Sequence, residues 1–148
     1  MKETARQLLN KGGQERVMKA IQAAERCCTA EIRVHLEDVC AGDALKRASE
    51  VFAQLKMHKT AERNGVLIYV AVQSHKMAVF ADAGIHEKAG VLFWQKEVDI
   101  MKQHFAVGDY GGGLSRAVEE AGRILAHFYP VLGSTNPDEL SNDVSFGS

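Results

Sequence analysis

The sequence predicts a single α/β domain: a three-layer α/β/α sandwich in which a mixed sheet of about three to four strands, with a central hairpin, has helices on both faces. Two apolar runs predict it. Residues 66–72 are rich in β-branched and aromatic side chains, and a second run, residues 77–81, follows after a short polar break. Two closely joined runs of this kind are typical of an antiparallel hairpin. Because the first run is apolar at nearly every position, we expect it to be covered on both faces.

The segments before the hairpin predict a helix, a strand and a second helix. In residues 14–28 the apolar side chains recur at spacings of four, three and four, which is one face of an amphipathic helix. Residues 30–38 alternate between apolar and polar, which predicts a half-buried strand near the edge of the sheet. Asp43 is placed to cap a helix over residues 44–56. The strand–helix–strand unit predicts a parallel crossover between residues 30 and 72.

The segments after the hairpin predict helices and a polar end. A short helical turn is expected in residues 85–90, and a helix from Val91 stops before Gly108. Residues 108–113 predict a glycine-dense loop, followed by a helix that Pro130 ends. We therefore expect one domain over residues 1–130 and a loose polar tail over residues 131–148.

Composition and charge exclude several classes of protein. The chain has 148 residues, of which 46% are hydrophobic and 25% charged, as in ordinary globular domains. The net charge is −1 and the basic residues are scattered, so no nucleic-acid partner is predicted. No apolar run reaches the roughly 18 residues of a membrane span, and the N-terminus lacks the apolar region of a secretory signal. A cytoplasmic location is expected.

The cysteines and histidines do not form a recognisable site in the sequence. There are three cysteines, two of them adjacent, and no C-x-x-C pair, so neither a disulfide framework nor a structural zinc site is predicted. The glycines match neither phosphate-binding fingerprint, and no G-x-S-x-G elbow is present. His86 and Glu87 begin like a zinc-protease helix, but position 90 is glycine.

Four oxygen-bearing side chains at the ends of predicted elements are the candidate metal ligands: Asp82, Asp109, Glu31 and Asn64. Calcium and magnesium take oxygen ligands from loops, and ligands of α/β sheets gather beyond strand ends. The alternative stays open for each residue. Asp109 would cap its helix, Asp82 would close a turn, and Asn64 would serve an Asn-Gly turn.

The glycines at residues 111–113 allow a second kind of site. Backbone N–H groups ahead of a helix could bind an anion. Asp109 and the pair Glu119 and Glu120 have the wrong sign for an anion site. A flexible link between two helices is the alternative.

Three groups of residues resemble the TPM domain, which is named for a thylakoid-lumen phosphatase, a photosystem repair factor and a receptor-associated membrane protein. The resemblance extends over residues 29–130, and the polar end resembles that of short stand-alone bacterial members. The groups, in chain order, are Arg63-Asn64-Gly65-Val66-Leu67-Ile68, then Ala81-Asp82-Ala83-Gly84-Ile85, then Phe105 with Gly108-Asp109-Tyr110 and Gly112-Gly113-Leu114.

The resemblance implies an α/β/α sandwich, a divalent-cation site for which calcium is the usual suggestion, and the acid-phosphatase activity attributed to some plant members. It carries the cation site onto Asp82 and Asp109, and less directly onto Glu31 and Asn64. The chain departs from the family where Ala30 replaces a frequent glycine. It also lacks the acidic N-terminal segment, signal peptide and membrane helix of many relatives.

Two functions are therefore expected. The first is a protein-interaction or assembly module that binds calcium or magnesium, because no nucleophile–base pair is evident in the sequence. The second is a metal-dependent acid phosphatase that acts on phosphomonoesters, in which the cation would polarise a phosphoryl oxygen. The sequence predicts a protein partner without identifying it, and it predicts no oligomeric state.

Overall fold

The computed structural model describes residues 3–89, 94–131 and 143–147. These residues form six helices and four strands, and all but one of the strands lie in the first 81 residues. The elements in chain order are α1 (Ala5–Leu8), α2 (Lys11–Glu25), β1 (Glu31–Glu37), α3 (Ala44–Gln54), β2 (Gly65–Ala71), β3 (Lys76–Ala81), α4 (Ala83–Ala89), α5 (Gln95–Ala106), α6 (Tyr110–Phe128) and β4 (Ser145–Phe146).

The strands form one mixed sheet in the order β3-β2-β1-β4. β1 is parallel to β2, and Glu31 is the register partner of Gly65. β3 is antiparallel to β2, and Ala81 is the register partner of Val66. The parallel crossover through α3 and the central hairpin are therefore confirmed.

The hydrophobic core lies on both faces of the sheet. All seven residues of β2 are buried. On one face Val66, Ile68 and Val70 pack in a cluster that includes residues of α2, α5 and α6. On the other face Leu67 and Tyr69 belong to a cluster with residues of α3. These are the three layers that the sequence predicts.

The glycines at residues 111–113 are not part of a loop, as was predicted, but belong to the first turn of α6, whereas Gly108 and Asp109 precede the helix. A side chain on Gly113 would collide with α5, whereas Gly111 packs closely against α2. A Cβ on Gly113 would lie 2.8 Å from the Cβ of His104 in α5, and one on Gly111 would lie 3.4 Å from the Cα of Gly13 in α2. The prediction was wrong because glycine was interpreted as a helix breaker, whereas here its lack of a side chain lets the helices approach.

The C-terminal segment also differs from the expectation of a loose tail. Ser145 and Phe146 form β4, which pairs with His35 and Leu36 at the edge of β1. The guanidinium carbon of Arg6 lies 4.2 Å from the ring centroid of Phe146, an attractive cation–π contact. The sequence analysis did not predict β4, because a strand of two residues is too short to show a periodic pattern. Residues 132–142 of the predicted tail lie outside the described residues, as does Val91, where a helix was predicted to begin.

The cysteines are free thiols, as expected from the absence of a disulfide framework. Cys28 and Cys40 are buried and Cys27 is exposed. Burial raises the pKa of the Cys28 thiol to about 11. No helix within the described ranges has the length and apolar character needed to cross a membrane.

Glu97 is a polar residue inside the helical layer, with no exposed surface. Neither of its carboxyl oxygens accepts a hydrogen bond from another residue within the described parts of the chain. Burial raises the pKa of Glu97, and its effect outweighs the hydrogen bond from the residue's own backbone, which lowers the pKa. We predict that Glu97→Met stabilises the domain by about 1–3 kcal/mol, the usual penalty of an unsatisfied buried group.

The pH dependence gives this prediction a second measurement. A carboxyl group whose pKa is raised in the folded state destabilises that state as the pH rises above its unfolded pKa. The gain from Glu97→Met should therefore be larger at pH 7 than at pH 4 in urea unfolding. An equal gain at both values would contradict the assignment to the buried charge.

Candidate functional site

Asp82 lies where β3 ends, beside the start of β2. Its backbone N–H donates to the carbonyl of Gly65 at 3.0 Å. Its carboxylate is buried and accepts two hydrogen bonds from the Arg63 guanidinium, each of 2.8 Å. A third, from the N–H of Ala83, is 2.7 Å long. Both oxygens of the predicted metal ligand are therefore bonded to protein donors.

Asn64 and Glu31 lie at the same end of the sheet as Asp82. Asn64 is buried, and its side-chain amide donates to the hydroxyl of Thr29 at 3.4 Å. The backbone carbonyl of Asn64 accepts a hydrogen bond from the N–H of Glu31 at 3.4 Å. Glu31 opens β1 and its side chain is buried. Three of the four predicted ligands thus share the edge at which β1 and β2 begin.

Asp109 lies at the opposite end of the domain. It caps α6, accepting from the N–H of Gly112 at 3.0 Å and pairing with His104 Nδ1 at 2.9 Å. The hydrogen bond with His104 and then that with Gly112 lower the pKa of Asp109. The alternative that Asp109 caps its helix is confirmed.

Asp82 and Asp109 lie near opposite ends of α6. At the end of the helix, the Tyr129 carbonyl accepts from the N–H of Thr29, just before β1, at 2.8 Å. Burial and then nearby acidic groups, Asp82 among them, raise the pKa of Tyr129. α6 has 19 residues and is therefore about 28 Å long.

The start of α6 lies at the end of the domain where β1 and β2 end. Burial, and then the charge of Glu3, raise the pKa of Tyr110 in the first turn. The carbonyl of Glu3 accepts from the side chain of Gln73, which follows β2. A single pocket that holds both Asp82 and Asp109 is therefore not formed, and that expectation was wrong. The reason is the direction of β3. Because β3 is antiparallel to β2, its end, and Asp82 with it, lies where β2 begins.

The residues as placed do not fit a calcium or magnesium site. Calcium takes six to eight oxygen ligands. Within the described ranges, no group of three or more histidine, cysteine or acidic side chains is arranged to hold a metal ion. The positive guanidinium of Arg63 also occupies the face of Asp82 that a cation would need.

Arg63, Asp82 and Gly84 instead join the loop before β2 to the start of α4. Arg63 has a φ of 52°, in the left-handed region. The side chain of Arg63 donates to Asp82. The backbone carbonyl of Arg63 accepts a hydrogen bond from the N–H of Gly84 at 2.9 Å. A Cβ on Gly84 would lie 2.3 Å from the carbonyl oxygen of Glu62 and 2.7 Å from that of Arg63. Only glycine fits this close approach of two backbone segments.

A network that the sequence analysis missed surrounds Glu37 at the end of β1. Arg47 donates to both oxygens of Glu37, at 2.8 and 2.9 Å, and Tyr69 donates its hydroxyl to one of them. His35 Nε2 is 3.1 Å from Glu37, and its Nδ1 is 3.0 Å from the hydroxyl of Ser145 in β4.

The sequence analysis missed this network because apolar and polar residues alternate along β1. The polar positions of the strand were expected to face solvent, but Glu31, His35 and Glu37 are buried. The predicted three-layer fold contained a signal, because a strand covered on both faces must bury its polar side chains and therefore pair them. The register partner of His35 is Tyr69, whose ring is stacked at 6.0 Å between centroids.

The charges of the network follow from burial and pairing. Burial alone would raise the pKa of Glu37, but the hydrogen bonds from Arg47, Tyr69 and His35 outweigh it and lower the pKa to about 2. Burial, with the bond to Glu37, raises the pKa of Tyr69. Burial lowers the pKa of His35. The network is therefore a carboxylate held by an arginine, a phenol and a neutral imidazole.

A cavity of about 370 Å³ opens beside this network. Its wall is formed by the loop after β1 and the first half of α3. The lining residues are Glu37, Val39, Cys40, Ala41, Gly42, Asp43, Lys46, Arg47 and Glu50. It lies beyond the carboxyl end of a parallel strand, where ligand sites of α/β sheets are usually found.

We predict that Gly84→Ala destabilises the domain by about 1–3 kcal/mol, as for other overpacked sites. The matched control is Gly42→Ala, since a Cβ on Gly42 meets no atom within 4 Å. Urea unfolding of the two variants measures the difference. Equal stabilities would contradict the close approach at Gly84.

The Glu37 network predicts a loss of stability in acid. A carboxyl group whose folded pKa is about 2, against an ordinary value of 4.5, stabilises the fold above pH 4.5 and loses that contribution as the pH falls toward 2. The shift corresponds to roughly 3 kcal/mol. His35 acts in the same direction below about pH 6.5, where the unfolded imidazole gains its proton.

Glu37→Gln isolates the carboxylate in this experiment. The variant should be less stable than the wild type at pH 7, and the difference should shrink between pH 4.5 and pH 2 in urea unfolding. Parallel pH profiles for the two proteins would contradict the role of the Glu37 charge.

Comparisons with known proteins agree with this architecture. The TPM domain matches residues 3–124. The BA42 protein from the psychrophilic bacterium Bizionia argentinensis is 36% identical, with a TM-score of 0.85 over 93% of this chain and 94% of that chain. No curated protein is significantly similar.

Two N-terminal domains share the fold at lower identity. That of a P. gingivalis protein is 16% identical, with a TM-score of 0.69 over 87% of this chain and 85% of that one. That of the cg2496 protein from Corynebacterium glutamicum is 13% identical, with a TM-score of 0.58 over 85% and 78%. From the match over residues 3–124 and the similarity to BA42, the chain belongs to the TPM domain family.

Proposed function

We propose that this chain is a protein-interaction module whose contact surface is the end of the sheet at which β1 and β2 terminate. The observation that carries the proposal is the position of the exposed large hydrophobic side chains. Within the described ranges these are Val39, Leu45 and Val107, exposed by 61%, 51% and 81%. Val39 and Leu45 flank the loop between β1 and α3, and Val107 precedes α6 at the same end.

The surroundings of Val39 and Leu45 indicate the chemistry of the partner. Val39 lines the 370 Å³ cavity together with the charged side chains of Lys46 and Glu50. Interfaces typically have an apolar centre and a polar rim. A protein segment that inserts an apolar side chain into the cavity, between groups of both charges, fits this surface.

The hydrogen bonds made by the acidic side chains favour a binding module over an enzyme. The carboxylates of Asp82, Asp109 and Glu37 all accept hydrogen bonds from the protein itself. Arg47, which lines the cavity, is bonded to both oxygens of Glu37. Phosphoryl transfer depends on cationic groups that stabilise charge in the transition state. Acid-phosphatase activity is retained as the alternative, on the family resemblance.

Binding of calcium or magnesium is retained as a part of the proposal that stands apart from the protein contact. It requires Arg63 to leave Asp82, since that guanidinium occupies the carboxylate. Calorimetric titration with each cation, for the wild type and for Asp82→Asn and Asp109→Asn, tests it. Heat that Asp82→Asn abolishes would support a site at the Asp82 end. Absence of heat and of a shift in melting temperature would reject cation binding.

The protein contact is tested by photo-crosslinking in cells of the source organism. A photoreactive residue at position 45 should capture a partner that the same residue at position 87, exposed at the other end of the domain, does not capture. With the captured partner purified, we predict that Leu45→Asp weakens binding at least tenfold, as for a central apolar contact, and that Glu87→Ser leaves it unchanged. Equal affinities of the wild type and Leu45→Asp would contradict the proposed surface.

The phosphatase alternative has its own measurement. Hydrolysis of a generic phosphomonoester is assayed with purified wild type and Asp109→Asn, with and without calcium or magnesium. We expect no turnover above the buffer control. A cation-dependent rate that Asp109→Asn removes would favour the enzyme over the binding module.

A further inference from the structure

Ser145 and His35 form a nucleophile–base pair that the fold brings together across 110 residues of chain. The hydroxyl oxygen of Ser145 in β4 lies 3.0 Å from Nδ1 of His35 in β1. The other ring nitrogen, Nε2, lies 3.1 Å from Oε1 of Glu37. A serine hydroxyl beside an imidazole whose second nitrogen is held by a carboxylate is the arrangement that activates serine as a nucleophile.

The charge of Glu37 determines which ring nitrogen of His35 carries the proton. Despite its burial, the hydrogen bonds to Glu37 hold its pKa at about 2, so its carboxylate is ionised and can only accept. Nε2 of His35 must therefore donate to Glu37. Burial lowers the pKa of His35, so the ring is neutral at pH 7 and Nδ1 accepts from the hydroxyl of Ser145. This is the tautomer in which a general base can take the serine proton.

Both sides of the pair are held in place by the surrounding structure. Arg47 donates to both oxygens of Glu37, so the imidazole that donates to Glu37 has a fixed partner. On the β4 side, the N–H of Gly147 donates to the carbonyl of Leu36 at 2.8 Å. A Cβ on Gly147 would lie 2.8 Å from Nε2 of His35, so the backbone of β4 passes directly against the ring.

The nucleophile is accessible and a positive charge lies near its base. Ser145 is partly exposed, whereas His35 is buried. Arg33 shares the face of β1 with His35, since residues two apart along a strand point to the same side. Its charge adds to the effect of burial in lowering the pKa of His35, and its Nε has no hydrogen-bond partner within the described ranges. Arg33 can therefore supply positive charge to an oxyanion that forms at Ser145.

We propose that Ser145 is the nucleophile of a site that takes the acyl group from carboxylic esters, with His35 as its general base and Glu37 as the residue that orients the base. This activity goes beyond the protein contact and the phosphatase alternative proposed above, and it depends on neither of them.

The reaction begins when Oγ of Ser145 attacks the carbonyl carbon of the ester. An O–C bond forms, the carbonyl π electrons move to the carbonyl oxygen, and the hydroxyl proton passes to Nδ1 of His35. When the bond to the alcohol breaks, the imidazolium gives this proton to the leaving oxygen, which leaves an acyl-serine and a free alcohol. Water then attacks the acyl-serine by the same route and releases the carboxylic acid and the serine.

Acetylation by p-nitrophenyl acetate tests the nucleophile. The exposed Cys27 is first replaced by alanine, since its thiol would itself take up the acetyl group. By mass spectrometry of the digested protein, Ser145 should be acetylated at least tenfold faster than Ser49, because general-base catalysis contributes roughly 10²–10⁴-fold. Ser49 is also partly exposed, but its hydroxyl donates to the carbonyl of Lys46 instead of an imidazole. Equal rates for the two serines, or no acetylation of Ser145, would overturn the proposal.

His35→Gln tests the general base. In the folded variant, checked by circular dichroism, acetylation of Ser145 should slow at least tenfold. His58→Gln replaces an exposed histidine and should leave the rate unchanged. An unchanged rate in His35→Gln would overturn the role of His35.

The pH profile of Ser145 acetylation gives a readout that needs no change at His35. Glu37 is ionised and Arg33 and Arg47 are charged around neutral pH, so among the groups that act on this ring His35 is the one that titrates. Because burial lowers its pKa from 6.5, the rate should rise with pH and reach a plateau by about pH 7. A rate that keeps rising in proportion to hydroxide, as for an unassisted serine, would overturn the proposal.

Discussion

The burial of β2 on both of its faces is the constraint on which the rest of the structure depends. All seven of its residues are inaccessible to solvent. Such a strand needs neighbours on both edges to pair its backbone and a helical layer over each face to cover its side chains. β1 and β3 supply the edges, and α3 on one face and α2, α5 and α6 on the other supply the cover.

The same constraint explains the polar network of β1. The residues of β1 that face the α3 side include His35 and Glu37, which are buried although polar. A buried carboxylate is tolerated only when it is paired and hydrogen-bonded. Arg47 comes from α3 and Tyr69 from β2, so the network links two layers of the sandwich through one charge.

Two of the predicted metal ligands, Asp82 and Asp109, join neighbouring elements of the fold. Arg63, Asp82 and Gly84 connect the loop before β2 with the start of α4, and Asp109 connects the end of α5 with the first turn of α6 through His104 and Gly112. The acidic residues have structural partners in both places. Under the function proposed above, the partner contacts the end of the sheet beyond β1, where the cavity opens and Val39 and Leu45 are exposed.

The sequence by itself determined the order and type of the main elements and their three layers, because periodicity is local information, whereas the short elements α1 and β4 and the glycine-rich first turn of α6 were not predicted. The apolar run of β2, the spacing of the helix from Val17 to Cys28 and the Asp43 cap all produced the elements expected from them, with shifts of a few residues at the ends. Only the tertiary structure decided where the side chains of the site meet. The separation of Asp82 from Asp109 depends on the direction of β3 and the length of α6, and the burial of Glu37 depends on a layer supplied by α3. These are contacts between residues far apart along the chain, and no local pattern contains them.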